Sequence, residues 1–315
     1  MGFFDGSQTK KLDSNPQKDI SWVKPADFLS SARSEYCVGG GTILKIAGIQ
    51  FAAGEEKERN IKKAMSFADV AVESGAKLIS FAELFATPWF AHEENDDPSR
   101  AVPFAESIPG PTTEEFSALA KKKEVVMVLP IAELEEDRVY NAAAVIDADG
   151  SLLGTYRKVH LPRLPLWYEK DYFTPGDRGF PVFTTAYLTL GVQICWDNYF
   201  PEGSRILGLK GAELIISPTA AAMKTHERWQ TAISANAIAN GLFALRVNRT
   251  GSEAVQDFYG ETFCVDPDGE LLGEPAGMND SVSLFDIDLE HVKRTRAMWP
   301  YFEDRRPEVY SECIK

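Results

Sequence analysis

Three short stretches carry residue types that can make and break an acyl bond. GVQICWDNYF (191–200) brings an apolar run to a stop at Cys195, and Trp196-Asp197 follow at once. A nucleophile at a strand-to-turn corner is exposed by the bend, and a nearby backbone N–H can receive an oxyanion. The plainer reading of Cys195 is a small buried hydrophobe, the usual role of a lone cysteine. A thiol is mostly protonated at neutral pH, so as a nucleophile it needs a base or a cationic neighbour. Of the four histidines, His92, His160, His226 and His291, only His160 lies near a strand end, so a Cys–His pair stays open but unmarked. FAELF (81–85) places Glu83 at the end of an apolar strand, where α/β active sites put ionisable groups. YRKVHLP (156–162) places Lys158 on a strand between hydrophobic neighbours. Read singly, Glu83 is a surface carboxylate and Lys158 an edge-strand lysine that limits aggregation.

The whole chain narrows the classes these residues can serve. Its 315 residues can bury a sizeable core, and 44% hydrophobic with 25% charged residues is ordinary for a soluble globular protein. A net charge of -14 with no basic run argues against a nucleic-acid surface and fits a soluble protein with a small-molecule or protein partner. The cysteines Cys37, Cys195, Cys264 and Cys313 form neither a CxxC pair nor a metal spacing, and no His/Asp cluster sits at ligand spacing, so no metal or other cofactor is expected. There is no apolar leader and no run of about 18 apolar residues, which points to a cytoplasmic protein with no membrane partner.

Elements that could position the three residues alternate along the chain. ILKIAGIQFA (43–52), AKLISFAELF (76–85), VVMVLPIAEL (125–134), ELIISPTA (213–220) and LFALRVNRTG (242–251) read as strands. Helical spacing runs over 60–76, 111–124 and 226–240, and another helix follows Pro201; Thr112 or Thr113 can cap the second. Hairpins are expected over 138–161, turning at Asp149-Gly150, and over 261–274, turning at Asp268-Gly269, with a further strand pair over 181–195. Helices mixed with hairpins suggest a layered α/β domain with mixed sheets. Residues 1–40 are a polar N-terminal extension, and 41–315 one domain. Trp22, Phe28 and Tyr36 in the extension suggest an arm that covers the active site or joins subunits.

Taken together and in order, FAELF, YRKVHLP and GVQICWDNYFPEGSR (191–205) resemble the nitrilase superfamily of carbon–nitrogen hydrolases, whose catalytic set is Glu-Lys-Cys. YEKDYFTPGD (168–177), GAELIISPTA (211–220), ANAIANGLFALRVNRTG (235–251) and DPDGELLGE (266–274) agree, so the resemblance covers about residues 43–310. CWDNYFPE, YEKDYFTPGD and EDRRPEVY (303–310) look most like the N-carbamoylputrescine amidase branch.

The resemblance implies a four-layer α-β-β-α sandwich with two mixed sheets, and a homodimer or larger assembly joined through helical faces. It implies Cys195 as nucleophile, Glu83 as general base, Lys158 as oxyanion stabiliser, and Glu169 as a second glutamate orienting Lys158 or the substrate. The Trp196 N–H would complete the oxyanion hole. The implied reaction is hydrolysis of a linear amide or N-carbamoyl amine through a cysteine thioester, with release of ammonia. A nitrilase, or a non-catalytic scaffold of the same fold, are the alternatives. Trp89, Trp167, Trp196 and Tyr199 are candidate substrate contacts. Branches that bind N-carbamoyl amino acids place arginines just after the cysteine motif; Asn198 and Tyr199 stand here, so a neutral or cationic substrate tail is expected. Arg163-Leu164-Pro165-Leu166-Trp167 departs from the putrescine-specific pattern, and Asp197 stands where true nitrilases usually have Glu.

Overall fold

Two sheets carry the chain, each built around three parallel strands. The computed structural model describes residues 43–222, 226–253 and 255–314. In the first sheet the central strands are β1 (Ile43–Gln50), β2 (Leu78–Phe81) and β3 (Val126–Glu135). The antiparallel strands β4 (Arg138–Ile146) and β5 (Leu152–Arg157) extend one edge. β6 (Val182–Thr184) and β7 (Thr189–Val192) begin the second sheet, which continues with β8 (Leu214–Thr219) and β9 (Phe243–Asn248) and ends at β12 (Phe263–Val265). Its order is β12-β9-β8-β7-β6, with β7, β8 and β9 mutually parallel. β10 (Thr250–Glu253) and β11 (Gln256–Tyr259) form a separate ribbon. β13 (Ser281–Asp288) returns antiparallel to β1 and completes the first sheet as β13-β1-β2-β3-β4-β5.

Helices cover the outer face of each sheet. α1 (Lys57–Glu73) buries Ile61, Ala64, Ala68 and Ala71, one face at three- and four-residue spacing. α2 (Pro111–Lys123) opens with Pro at its first position and closes on three lysines beside its carbonyl end. Both pack on Ile49, Ile79, Met127 and Ala144, the outward side of the first sheet. α3 (Pro201–Leu209) and α4 (His226–Asn240) lie on the second sheet, where Leu207, Trp229, Ile233 and Ala237 meet its core. α5 (Leu289–Met298) follows β13. The inner faces press together: Ile46, Leu78, Val128 and Val145 share one cluster with Leu190, Val192, Ile216 and Leu245. At Gly48 they come so close that a Cβ would lie 2.6 Å from a Thr262 carbon. This is the expected four-layer α-β-β-α sandwich.

The structure corrects several expected boundaries. The strand expected over 76–85 ends at Phe81, because the chain turns under Glu83 and Leu84 takes a φ of 51°. Thr113 does not cap α2 as first residue; Gly110 stands there, and the Thr113 hydroxyl bonds both the Gly110 N–H and its carbonyl. The expected hairpin over 261–274 shrinks to β12 and a single Val265–Leu271 bridge, since β12 pairs with β9 instead. The expected arm, residues 1–40 with Trp22, Phe28 and Tyr36, lies outside the described residues. No helix among the described residues is long and apolar enough to cross a membrane.

Candidate active site

Glu83 and Cys195 each lie just past the carboxyl end of a parallel strand, one in each sheet. β2 ends at Phe81, and the next turn is clamped from the other sheet. Arg249, directly after β9, donates to the carbonyls of Glu83 (2.9 Å), Leu84 (2.8 Å) and Thr87 (2.8 Å). Glu253 holds that guanidinium in place with contacts down to 2.7 Å. β7 ends at Val192, and Cys195 opens a tight 3₁₀ turn over Cys195–Tyr199 with φ at 48°. An L-residue in the left-handed region costs roughly 1–2 kcal/mol, so the surrounding contacts must impose it. Asp197 supplies them. Its carboxylate accepts from the Ile194 N–H (3.0 Å), the His160 N–H (3.0 Å) and the Tyr156 hydroxyl (2.6 Å). Asn198 adds bonds to the carbonyls of Gln193 and Cys195 and to Ser217.

Lys158 extends the β4–β5 ladder by one residue, its N–H bonding the Asn141 carbonyl. It sits one position beyond the strand rather than on it. Its backbone carbonyl is closely covered: a Cβ on Gly176 would lie 2.2 Å from the Arg157 oxygen and 2.9 Å from the Lys158 oxygen. The Lys158 Nζ lies 2.7 Å from Glu83 Oε1 and 2.7 Å from both oxygens of Glu169. Glu169 is carried there by a short turn, Glu169–Asp171. The three side chains are fully enclosed, and Cys195 is only 4% exposed. The cysteine sulfur feels all three charges.

The electrostatics follow from one ammonium facing two carboxylates. Burial by itself would lower the proton affinity of Lys158, but Glu169 and Glu83 together raise it above the ordinary lysine value. One negative charge remains in excess. Burial, opposed by Lys158 and aided by Glu83, pushes the Glu169 carboxyl up to about 7. Burial and the Glu83 charge likewise push the Cys195 thiol well above its usual value, so it rests as a neutral thiol. Glu83 Oε2 is buried and has no hydrogen-bond partner among the described residues, leaving one acceptor of the pair open.

Three of the four residues expected as a catalytic set, Glu83, Lys158 and Glu169, therefore meet in one enclosed cluster, and their charges act on the buried Cys195 thiol. A fifth was missed. Asn141 donates to Glu83 Oε1 (2.7 Å) and Glu169 Oε2 (3.3 Å), tying the two acids together. Counting outward from the Asp147–Ser151 closure of the turn puts Asn141 opposite Arg157; only the register shift between Val145 and Ile146 brings it opposite Lys158, so the sequence carried no signal for it. The Cys–His pair does not form: His160 turns its Nδ1 to Asp197 (2.8 Å) and stacks on Phe200 at 3.8 Å.

The four aromatic candidates divide. Trp196 meets Tyr199 edge-on at 5.2 Å, and Tyr199 leans on Trp229 at 4.9 Å. Trp167 bonds the Ala220 carbonyl (2.9 Å), one residue beyond β8. Trp89 is enclosed at 1% exposure, and its indole N–H is taken by the Leu166 carbonyl (3.0 Å). A cavity of about 540 Å³ is lined by Val159, His160, Lys170, Phe173, Trp196 and Phe200, and none of the four expected catalytic side chains lines it. Asp266, Asp268 and His291, which no spacing in sequence links, bring their ligand atoms within 4.8 Å of one another. His291 and Asp268 are already hydrogen-bonded there at 2.9 Å.

A profile described as carbon-nitrogen hydrolase matches residues 45–297. An N-carbamoylputrescine amidase of Oryza sativa subsp. japonica is 36% identical over 292 residues, covering 88% of this chain and 96% of that one. A citrullinase of Francisella tularensis is 35% identical over 284 residues, covering 86% and 98%. The crystal structure of a carbon-nitrogen hydrolase from Helicobacter pylori G27 superposes with a TM-score of 0.82 at 32% identity, covering 87% of this chain and 99% of that chain. With the profile spanning most of the sandwich and these relatives aligned nearly end to end, the chain belongs to the carbon-nitrogen hydrolase family.

Proposed function

We propose that Cys195 is the nucleophile, Glu83 its base, Lys158 the oxyanion partner and Glu169 the residue that keeps Lys158 charged and aimed. The enzyme is an amidase, a hydrolase of non-peptide C–N bonds in a linear amide or N-carbamoyl amine. The observation that carries the residue roles is the 2.7 Å contact of Lys158 with both acids, within the field of a strained, buried thiol.

The chemistry runs as one proton moving around a fixed ammonium. Glu83 takes the thiol proton as sulfur attacks the carbonyl carbon, which suits a thiol that rests neutral. The oxyanion meets Lys158 and the Trp196 N–H; in a water-poor site one such donor is worth roughly 3 kcal/mol. The C–N bond breaks, Glu83 returns the proton to the leaving nitrogen, and ammonia departs from a thioester. Water, deprotonated by Glu83, attacks the thioester and frees the acid and the thiol. Tyr199, Trp196 and Trp167 flank the acyl position. Trp89 serves by packing behind it. A nitrile substrate would need the same thiol, and one relative at 34% identity is named a nitrilase; the relatives named N-carbamoylputrescine amidase and citrullinase, at 36% and 35%, favour the amide reading.

The thiol route calls for a reducing, cytoplasmic setting. Residues 41–315 form the catalytic domain and 1–40 an arm, and copies associate through α3 and α4, where Ile206, Leu209 and Ile238 are exposed. Ammonia release from a panel of amides, carbamoyl amines and nitriles tests the assignment. Turnover of amides by the wild type and none by Cys195→Ala is expected. Turnover of nitriles alone, or a Cys195→Ala protein within tenfold of wild type, contradicts it.

A further inference from the structure

Arg246 is a buried cation without an anion. It stands on β9 at 1% exposure, paired in register with Ser217 of β8. Ser217 receives the Asn198 amide that also holds the Cys195 carbonyl, so the guanidinium lies on the strand beside the nucleophile's support. Its contacts are neutral. Nη2 donates to the Tyr259 hydroxyl (2.8 Å) and Nη1 to the Glu261 carbonyl (3.3 Å). Aromatic rings of Trp229 (5.1 Å), Tyr259 (5.1 Å) and Phe263 (5.5 Å) surround it. Its Nε is enclosed and has no hydrogen-bond partner, and no carboxylate forms an ion pair with it among the described residues. The other fully buried arginines are compensated: Arg157 by Glu133 and Arg249 by Glu253.

Burying an uncompensated guanidinium costs far more than its ring contacts return. A fold that keeps one beside a reactive thiol has a use for it. Tyr199, in the same short turn as Cys195, packs on the Trp229 ring at 4.9 Å, and the Arg246 guanidinium lies 5.1 Å from that ring. Resting on the amidase reading above, we propose that Arg246 receives a carboxylate at the far end of the substrate. The preferred substrates are then amides or N-carbamoyl amines that end in a carboxylate. The side chains of Asn198 and Tyr199, read in sequence, had pointed to a neutral or cationic tail. The cation comes instead from a strand some fifty residues further on, and Tyr199 lies beside it.

The test is ammonia release from matched monosubstituted ureas. Each carries a free terminal carbamoyl group on one nitrogen and, on the other, a linear chain of methylenes of varied length. The chain ends in a carboxylate, a methyl or an ammonium group. Wild-type kcat/KM is expected to be at least tenfold higher for the carboxylate series than for the methyl series at the best chain length. In Arg246→Met that ratio should fall at least tenfold, and Arg246→Lys should restore part of it. Equal turnover of the carboxylate and methyl series by wild type, or preference for the ammonium tail, overturns the anion subsite while leaving the amidase reading intact. No ammonia from any urea or from the matched amides overturns the amidase reading and the subsite with it. The wild-type ratio decides the question even where the Met variant fails to fold.

Discussion

At the scale of single residues, the site is a small charge-balance problem. Lys158 cannot shed its proton between two carboxylates, and Cys195 cannot lose its own until a base takes it. Lys158→Met should therefore lower the acylation rate roughly a hundredfold or more even with the thiol intact, read from thioester formation in a single-turnover burst. The same change strands two buried acids, so stability should fall by about 3–5 kcal/mol, read by denaturant titration. The raised Glu169 gives a pH signature. Below about 7 Glu169 takes up a proton and loses the charge that aims Lys158, so kcat/KM should decline as pH falls. Its folded value exceeds the ordinary 4.5, so its contribution to stability is full at low pH and is lost as pH climbs through about 7. Glu169→Gln cannot ionise. Its melting temperature should gain on wild type as pH is raised from about 5 to about 8; a constant difference would contradict the raised value.

At the scale of elements, a clamp holds the strained turn after Glu83, and a close backbone approach covers Lys158. Leu84 follows Glu83 at a φ of 51°, and Arg249 binds the carbonyls on either side of that bond. Arg249→Met should cost at least as much in kcat as in stability, since it frees the turn that aims Glu83; rescue by Arg249→Lys should be poor because one ammonium cannot reach three carbonyls. Gly176 covers the Lys158 backbone so closely that Gly176→Ala must displace Arg157 or Lys158. An overpacking penalty of about 1–3 kcal/mol is expected, with a fall in kcat and little change in the rate of Cys195 alkylation by a small neutral reagent.

At the scale of the molecule, the second sheet's helices bear an apolar surface. Ile206 and Leu209 of α3, Ile238 of α4, and Trp299, Tyr301 and Tyr310 of the last segment are all exposed large hydrophobics. Patches of this kind mark interfaces. Light scattering should give a mass above one chain, and the pair Ile206→Asp with Ile238→Asp should reduce it. A monomeric wild type would exclude association through these helices. A chain beginning at Gly41 should unfold cooperatively and keep ammonia release from its amide substrates; loss of either contradicts a self-sufficient domain over residues 41–315.

Much of this was legible in the chain itself, for reasons of range. Apolar alternation, the turns at Asp149-Gly150 and after Gly75, and the Pro that opens α2 act over a few residues, so local sequence determined most strands and helices. The family resemblance carried by the ordered FAELF, YRKVHLP and GVQICWDNYF stretches singled out Glu83, Lys158 and Cys195, and that of YEKDYFTPGD singled out Glu169. Tertiary structure alone decided what depends on contact between distant segments. β13 joining β1, Arg249 gripping the Glu83 turn from the opposite sheet, Asn141 bridging two acids and Arg246 standing buried without a carboxylate have no local signature. Each is set by how two twisted sheets pack face to face, and hydrogen bonds and desolvation act only once that packing brings the groups together and excludes water.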